Sequence, residues 1–320
     1  MERKIQVTQT RMLEWYQKWD GKVYVSFSGG KDSTVLADLA ARVCKSAGFS
    51  LTLWFSDTGL EYPEIRKHVK SFPQYIKEKY NIEANLVIDC PKDRNGNRIT
   101  FKDVIIKYGY PIISKSVSAD VSVARNNPNG KTAQKFVRGS EYHKKYGDSW
   151  LLERYLYLMD APFKISNRCC TIMKKNVAHR FDRESGMVPI IGTMACESIT
   201  RRDEWLTYGC NSFDKKNPNS KPLSFWTEQD VLKYLKEFEV PYASVYGEIL
   251  SDQNGKLYTT GCDRTGCMFC GFGCHLEKSP NRFQRLKVTH PKVWEYCMKP
   301  ISDGGLGMRE VLEFIGVDVD

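Results

Sequence analysis

Hydrophobic positions along the chain change period several times, and each change marks an element. Residues 1–21 carry Met12, Leu13, Trp15 and Tyr16 as an apolar stripe, which predicts a helical lead-in. Val23-Tyr24-Val25-Ser26-Phe27 is short, β-branched and aromatic, the texture of a buried strand. From Asp32 to Ala47 the apolar positions Val35, Leu36, Leu39, Ala40 and Val43 fall at i, i+3, i+4 spacing, an amphipathic helix closed by Gly48. Leu51-Thr52-Leu53-Trp54-Phe55 predicts a second strand. Tyr62 to Tyr80 predicts a second helix, with Pro63 at its start and Pro73 as a kink or break. Leu86-Val87-Ile88 predicts a third strand. Strands separated by helices give a parallel sheet with right-handed crossovers, so the expected class is α/β, a Rossmann-like parallel sheet flanked by helices.

Periodicity fades over residues 92–167, where Asp93-Arg94-Asn95-Gly96-Asn97 and Asn126-Asn127-Pro128-Asn129-Gly130 read as loops. This stretch is basic, with Arg94, Arg98, Lys102, Lys107, Lys115, Arg125, Lys131, Lys135, Arg138, Lys144 and Lys145. It reads either as a solvated helical insertion or as a surface that receives an anionic substrate. Strand texture returns at Val188-Pro189-Ile190-Ile191-Gly192. Thr227 is a candidate N-cap for a helix striped by Val231, Leu232 and Leu235, and residues 275–320 read as helical. The expected division is a lead-in over 1–21, an α/β domain over 22–240 with the insertion at 92–167, and a Cys-rich region over 241–320.

The 320 residues are 41% hydrophobic and 27% charged, ordinary values for a soluble globular chain. No apolar run approaches the ~20 residues that span a bilayer, and Met1-Glu2-Arg3-Lys4 leads into mixed polar sequence without the apolar core of a signal peptide. These features argue against a secreted, membrane, collagenous or disordered protein, and the expected compartment is cytoplasmic. Lys and Arg number 48 against 38 Asp and Glu, a net +10 that favours nucleotides, phosphates or nucleic acid as partners. The 11 cysteines include the adjacent pair Cys169-Cys170 and the group Cys262, Cys267, Cys270 and Cys274. In a reducing compartment such clusters read as metal or cluster ligands before disulfides.

Ser28-Gly29-Gly30-Lys31-Asp32-Ser33 lies between the first strand and the first long helix. Two glycines let the backbone turn sharply, the free N–H groups of the helix start favour an anion, and Lys31 adds a full charge. In an open α/β sheet, ligands bind outside the carboxyl ends of the strands, where this loop falls. The spacing is neither that of a Walker A loop nor G-x-G-x-x-G. It resembles the PP-loop, SGGKDS, of the ATP pyrophosphatases, the adenine nucleotide alpha hydrolases. That resemblance implies ATP cleaved between its α- and β-phosphates with Mg²⁺, with Lys31 and Asp32 in catalytic roles. Ser26 would join the loop in binding nucleotide.

Three further segments narrow the resemblance. Asp57-Thr58-Gly59-Leu60-Glu61-Tyr62-Pro63-Glu64 is similar to the D-T-G-x-x-x-P-E segment of PAPS reductases and the ATP sulfurylase small subunit, which implies Asp57 and Thr58 near the nucleoside. Gly192-Thr193-Met194-Ala195-Cys196-Glu197-Ser198-Ile199-Thr200-Arg201-Arg202 resembles that family's G-x-R-x-x-E-S-x-x-R segment. Gly192 and Arg201 are then expected at the nucleotide, with Arg201 near its phosphate or sulfonate end and, like Lys31 and Asp32, in a catalytic role. Met194 stands where an Arg is common, and Arg202 is the expected substitute. Pro222-Leu223-Ser224-Phe225-Trp226-Thr227-Glu228-Gln229-Asp230-Val231 resembles P-L-x-x-W-x-x-x-D-V, in which Trp226 anchors a helix.

Cys169-Cys170 and Cys267-x-x-Cys270 resemble the set that binds a [4Fe–4S] cluster in APS reductases. Four thiolates are the required number, and Arg168, Lys174 and Lys175 would offset the negative charge. A rival set, Cys262, Cys267, Cys270 and Cys274, would suit a local zinc or cluster site.

Three functions stand open at this point. The intact loop resembles ATP-using sulfur-activation enzymes, including those of DNA phosphorothioation and tRNA thiolation, which implies a DNA or tRNA acceptor and a sulfur donor or reductant protein. A sulfonucleotide reductase acting on APS or PAPS would need a tail nucleophile in an E-C-G-x-H context, and the tail offers only Glu295-Tyr296-Cys297-Met298 and Cys274-His275. A non-catalytic nucleotide-binding partner or sensor is the third.

Overall fold

The computed structural model describes residues 1–147 and 149–320. The strands in chain order are β1 (Val23–Ser26), β2 (Leu51–Ser56), β3 (Ala84–Asp89), β4 (Ile112–Ile113), β5 (Val188–Ile191), β6 (Asn211–Ser212), β7 (Asn219–Ser220), β8 (Ile249–Ser251), β9 (Leu257–Thr259) and β10 (Gly271–Phe272). The chain divides into two units. One comprises Met1–Asp57, Glu61–Cys90 and Val177–Gly266, the other Thr58–Leu60, Pro91–Asn176 and Cys267–Asp320.

The first unit is built on a six-stranded sheet in the order β3-β2-β1-β5-β7-β6. All its pairings are parallel except β6 with β7. β1 and β2 are buried almost throughout, which is why their sequences run apolar without alternating. The chain builds outward from β1 through β2 to β3, then returns to place β5 on the other side of β1. Strand order therefore reverses between β1 and β5, the switch point at which such sheets bind ligands.

Helix α1 (Glu2–Lys18) belongs to this unit rather than standing apart as a lead-in. Trp15 and Tyr16 are fully buried, Thr8 Oγ1 accepts from Trp226 Nε1 at 2.8 Å, and Lys4 pairs with Asp230 at 2.6 Å. Trp226 thus anchors the turn into the helix Glu228–Glu237, which Thr227 and Asp230 cap reciprocally. Helix α2 (Lys31–Ala47) ends on left-handed Gly48. The sequence predicts one apolar face for α2, yet it is buried on nearly every side, packed by α1, by the helix Glu228–Glu237 and by helix α3 (Pro63–Tyr80). Its polar residue Asp38 is accommodated by hydroxyl donors from Tyr75, Tyr80 and Tyr234 at 2.8, 2.8 and 2.6 Å. Pro73 does not break α3, because Ile65, Val69, Phe72 and Ile76 on both sides of it are pinned to the core.

In the second unit the basic insertion joins the C-terminal segment, a division the linear reading of 22–240 and 241–320 does not contain. The reason is pairing across a long stretch of chain. β4, in the insertion, runs parallel to β10, and Tyr110 donates its hydroxyl to the Leu306 carbonyl at 2.8 Å. The insertion is helical as expected, with Phe101–Tyr108 and Lys115–Asn126 its longest helices, and Arg282–Thr289, Pro291–Met298 and Met308–Phe314 make up the tail.

Candidate nucleotide site and cysteine cluster

The loop 28–33 connects β1 to α2 beside the switch point. Gly29 has φ +75°, and a Cβ there would lie 2.7 Å from Val69 Cγ2 and 2.9 Å from Ile65 Cγ2, so both backbone freedom and the lack of a side chain are required. Gly30 is extended and caps α2, leaving the first N–H groups of a 17-residue helix directed at the loop. The Ser28 and Ser33 hydroxyls lie 3.0 Å apart, and Ser33 also donates to the Gly30 carbonyl. Gly192, at the end of β5, packs against the same turn, where a Cβ would stand 3.3 Å from the Asp32 carbonyl.

Lys31 is buried, with Nζ 3.1 Å from Glu228 Oε1 and 5.1 Å from the centre of the Tyr246 ring. The Tyr246 hydroxyl accepts from the Lys31 backbone N–H at 3.3 Å and lies 2.5 Å from Thr265 Oγ1. Burial, then repulsion from Glu197, pushes the Asp32 carboxyl up to about 6, while Lys31 and Arg264 draw it down. Burial also pushes at Glu197, but the Met194 N–H at 2.9 Å, Arg201 and Arg264 outweigh it and hold that carboxyl below its usual value. Arg264 Nη2 reaches Glu197 Oε1 at 2.5 Å, and Arg201 pairs with Oε2.

The structure therefore brings Ser28–Ser33 and Gly192 together around one turn, whereas Arg201 contacts Glu197, whose charge acts on Asp32. Ser26 ends β1, paired to β2 and β5. Asp57 follows β2, buried, with its carboxylate held by Arg66 at 2.7 Å. Thr58 falls in the second unit, where its hydroxyl accepts from the Leu60 N–H. Met194 is buried, and the cation beside Arg201 is Arg264 rather than the exposed Arg202, which makes no ion pair among the described residues. Glu228, Tyr246, Thr265 and Arg264 were not anticipated. Arg264 carried no signal beyond its charge, and Glu228 and Tyr246 approach the loop from 197 and 215 residues away.

In the second unit Cys169 and Cys170 lie on a helical turn that widens into a π turn over Thr171–Lys175. Their sulfurs are 4.0 Å apart, and Cys169 also feels Cys267 and Cys270. The hydrogen bond from Cys169, aided by Lys115, Lys174 and Lys175, draws the Cys170 thiol down against burial. The same bond, with burial and the other sulfurs, drives Cys169 up. Arg282 donates to the Cys270 carbonyl at 3.0 Å. Cys274 is buried, its thiol donating to the Gly271 carbonyl at 3.1 Å and pushed up to about 12 by burial. Cys262 belongs to the first unit, its carbonyl accepting from Thr259 Oγ1. Among the described residues no three His, Cys, Asp or Glu side chains stand in a ready-made metal arrangement. The four neighbouring thiols and the lysines facing them nonetheless fit a cluster in donor type, number and charge.

A mostly parallel sheet with an SGGKDS turn at its switch point defines a PP-loop α/β protein. The chain belongs to the phosphoadenosine phosphosulfate reductase domain family, whose profile matches residues 22–108 and 114–271. Two uncharacterised proteins of Methanocaldococcus jannaschii are similar, one at 24% identity over 88% of this chain and 41% of its own length, the other at 26% over 93% and 53%. The chain thus spans about half the length of the curated relatives it matches. Among solved structures, the chain is loosely similar to the U34-tRNA thiolase NcsA of Methanococcus maripaludis with its [4Fe–4S] cluster, at TM-score 0.38 and 18% identity over 76% of this chain and 66% of that one. It is as loosely similar to NMN synthetase of Francisella tularensis, at TM-score 0.38 and 12% identity over 98% of this chain and 92% of that one. No helix among the described residues is long and apolar enough to cross a membrane.

Proposed function

We propose that this chain binds ATP at the loop 28–33 and cleaves it between the α- and β-phosphates to activate an acceptor oxygen for sulfur transfer. The observation that carries this reading is the intact Ser-Gly-Gly-Lys-Asp-Ser turn, with buried Lys31 at the start of α2. An acceptor oxygen attacks the α-phosphorus, the bond to the bridging oxygen breaks, and pyrophosphate leaves with the electron pair. Lys31 and the α2 N–H groups hold the charge that develops on pyrophosphate. Arg201 and Arg264, fixed on Glu197, supply positive charge beside the loop. Asp32, whose carboxyl is under-compensated in the bare site, would hold Mg²⁺, which neutralises phosphate charge when bound. Cys169, Cys170, Cys267 and Cys270 would hold a [4Fe–4S] cluster, which when bound supplies a centre for sulfur or electron handling. DNA or tRNA is the acceptor class this scheme takes, adenylated by that step before a separate sulfur donor or reductant protein acts.

The family match favours sulfonucleotide reduction as a second reading. Its nucleophile would be a tail thiol, but Cys297 is fully buried and pushed up by that burial, and Cys274 is buried as well. Burial of both thiols supports the ATP reading. The test is the product profile of anaerobically prepared protein. Acceptor-dependent pyrophosphate from ATP, lost in Lys31→Ala, is expected. Thioredoxin-dependent sulfite from APS or PAPS, lost in Cys297→Ser or Cys274→Ser, would replace it with the reductase.

A further inference from the structure

A cleft of about 550 Å³ opens within the second unit, lined among others by Lys107, Tyr108, Arg125, Lys164, Ser166 and Arg168. Four of its lining residues are cations and none is a carboxylate. Among the described residues none of the four forms an ion pair. Arg125 donates to the carbonyls of Phe163 and Ala161 at 2.7 and 2.9 Å, and Lys164 reaches only the Lys107 carbonyl at 3.5 Å. Lys107 and Arg168 each stand 5.4 Å from the centre of the Tyr108 ring. Nearby, by contrast, Lys135 is met by Asp120 and Lys144 by Glu141. Four uncompensated like charges in one concavity repel one another, and the concave wall focuses their field on whatever enters.

The lining also selects among anions. A bare phosphate needs only the charges. Here a half-buried tyrosine ring stands beside two cations, the combination of aromatic surface and phosphate contacts that single-stranded nucleic acids use. Ser166 is buried, and its hydroxyl fixes the Arg168 backbone N–H at 3.1 Å, which sets the start of the turn carrying Cys169 and Cys170. We propose that this cleft binds the backbone of a single-stranded polynucleotide and so delivers an acceptor next to the Cys169-Cys170 turn. The acceptor role rests on the ATP reading above; the binding itself does not.

The test is fluorescence anisotropy on the full chain without ATP, using short labelled oligouridine and oligothymidine, with inorganic phosphate as competitor. For single strands each neutralised phosphate contributes about 0.7 to the slope of log affinity against log salt, so four cations give roughly −2.8. Lys107→Ala combined with Lys164→Ala removes two exposed side chains, so the slope should fall to about −1.4 and affinity at ~0.1 M salt should drop about 25-fold. Arg168→Gln should give about half that loss on a logarithmic scale. The variants should melt like the parent and bind ATP unchanged. A double variant that binds like the parent overturns the proposal. So does a parent that binds neither strand, or complete displacement by millimolar phosphate. Tighter binding of the RNA strand assigns an RNA acceptor, tighter binding of the DNA strand a DNA acceptor, and equal binding shows recognition of the shared phosphate backbone. Failure here leaves ATP scission standing, and failure of pyrophosphate release leaves this binding standing.

Discussion

Replacing Asp32 by Asn separates the stability of the loop from its chemistry. Asp32 opens α2, and burial with repulsion from Glu197 lifts its carboxyl from the ordinary 3.8 to about 6 despite Lys31 and Arg264. At about 1.4 kcal/mol per tenfold change in proton affinity, holding that carboxylate charged at neutral pH costs the folded state roughly 3 kcal/mol. Because the folded value is the higher one, the cost is absent below about pH 4, where folded and unfolded chains both carry the proton. It grows as pH rises toward about 6 and is complete above that. A neutral Asn forfeits a helix-start interaction of only about 0.5 kcal/mol, too little to reverse the balance. Chemical denaturation should therefore find Asp32→Asn more stable than the parent by about 2–3 kcal/mol near pH 7.5, with the advantage gone near pH 3.5. Pyrophosphate release should fall to background in the same variant. Equal stability at neutral pH, or an advantage that persists on acidification, would refute the reasoning.

Gly29→Ala should destabilise by about 2–4 kcal/mol in thermal denaturation, since it places a Cβ at positive φ and against Val69 and Ile65. Asp38→Ala should cost about 3–5 kcal/mol by the same measurement, because it strands Arg42 and three tyrosine hydroxyls around a fully buried position. Anaerobic protein should carry about four iron and four acid-labile sulfide per chain, and Cys170→Ser should lower both while Cys262→Ser leaves them unchanged. A colourless protein with one zinc, lost on Cys262→Ser, would favour the contiguous set instead.

The parts legible in the sequence are those whose cause is local. β1 and β2 declare themselves by unbroken apolar runs, and the loop 28–33 by six adjacent residues that match the PP-loop pattern. Thr227 and Asp230 spell out a cap within four positions. What was not legible depends on partners far along the chain. Arg264 pairs with Glu197 from 67 residues away, and no periodicity distinguishes it from any other surface arginine. The pairing of Ile112-Ile113 with Gly271-Phe272 involves two-residue strands too short to carry a pattern, yet it joins the insertion to the tail. Pro73 reads as a breaker because the sequence reports its missing N–H and not the buried side chains that hold α3 together on both sides.

The most direct test of the triphosphate grip is calorimetric titration of ATP and AMP into the chain and into Lys31→Ala, with Mg²⁺ present. ATP should bind well ahead of AMP in the parent, and the variant should lose most of that advantage while still accepting AMP, since the proposed role of Lys31 is confined to the phosphate tail. A variant that takes up ATP as tightly as the parent, or a parent that does not distinguish ATP from AMP, would contradict the account.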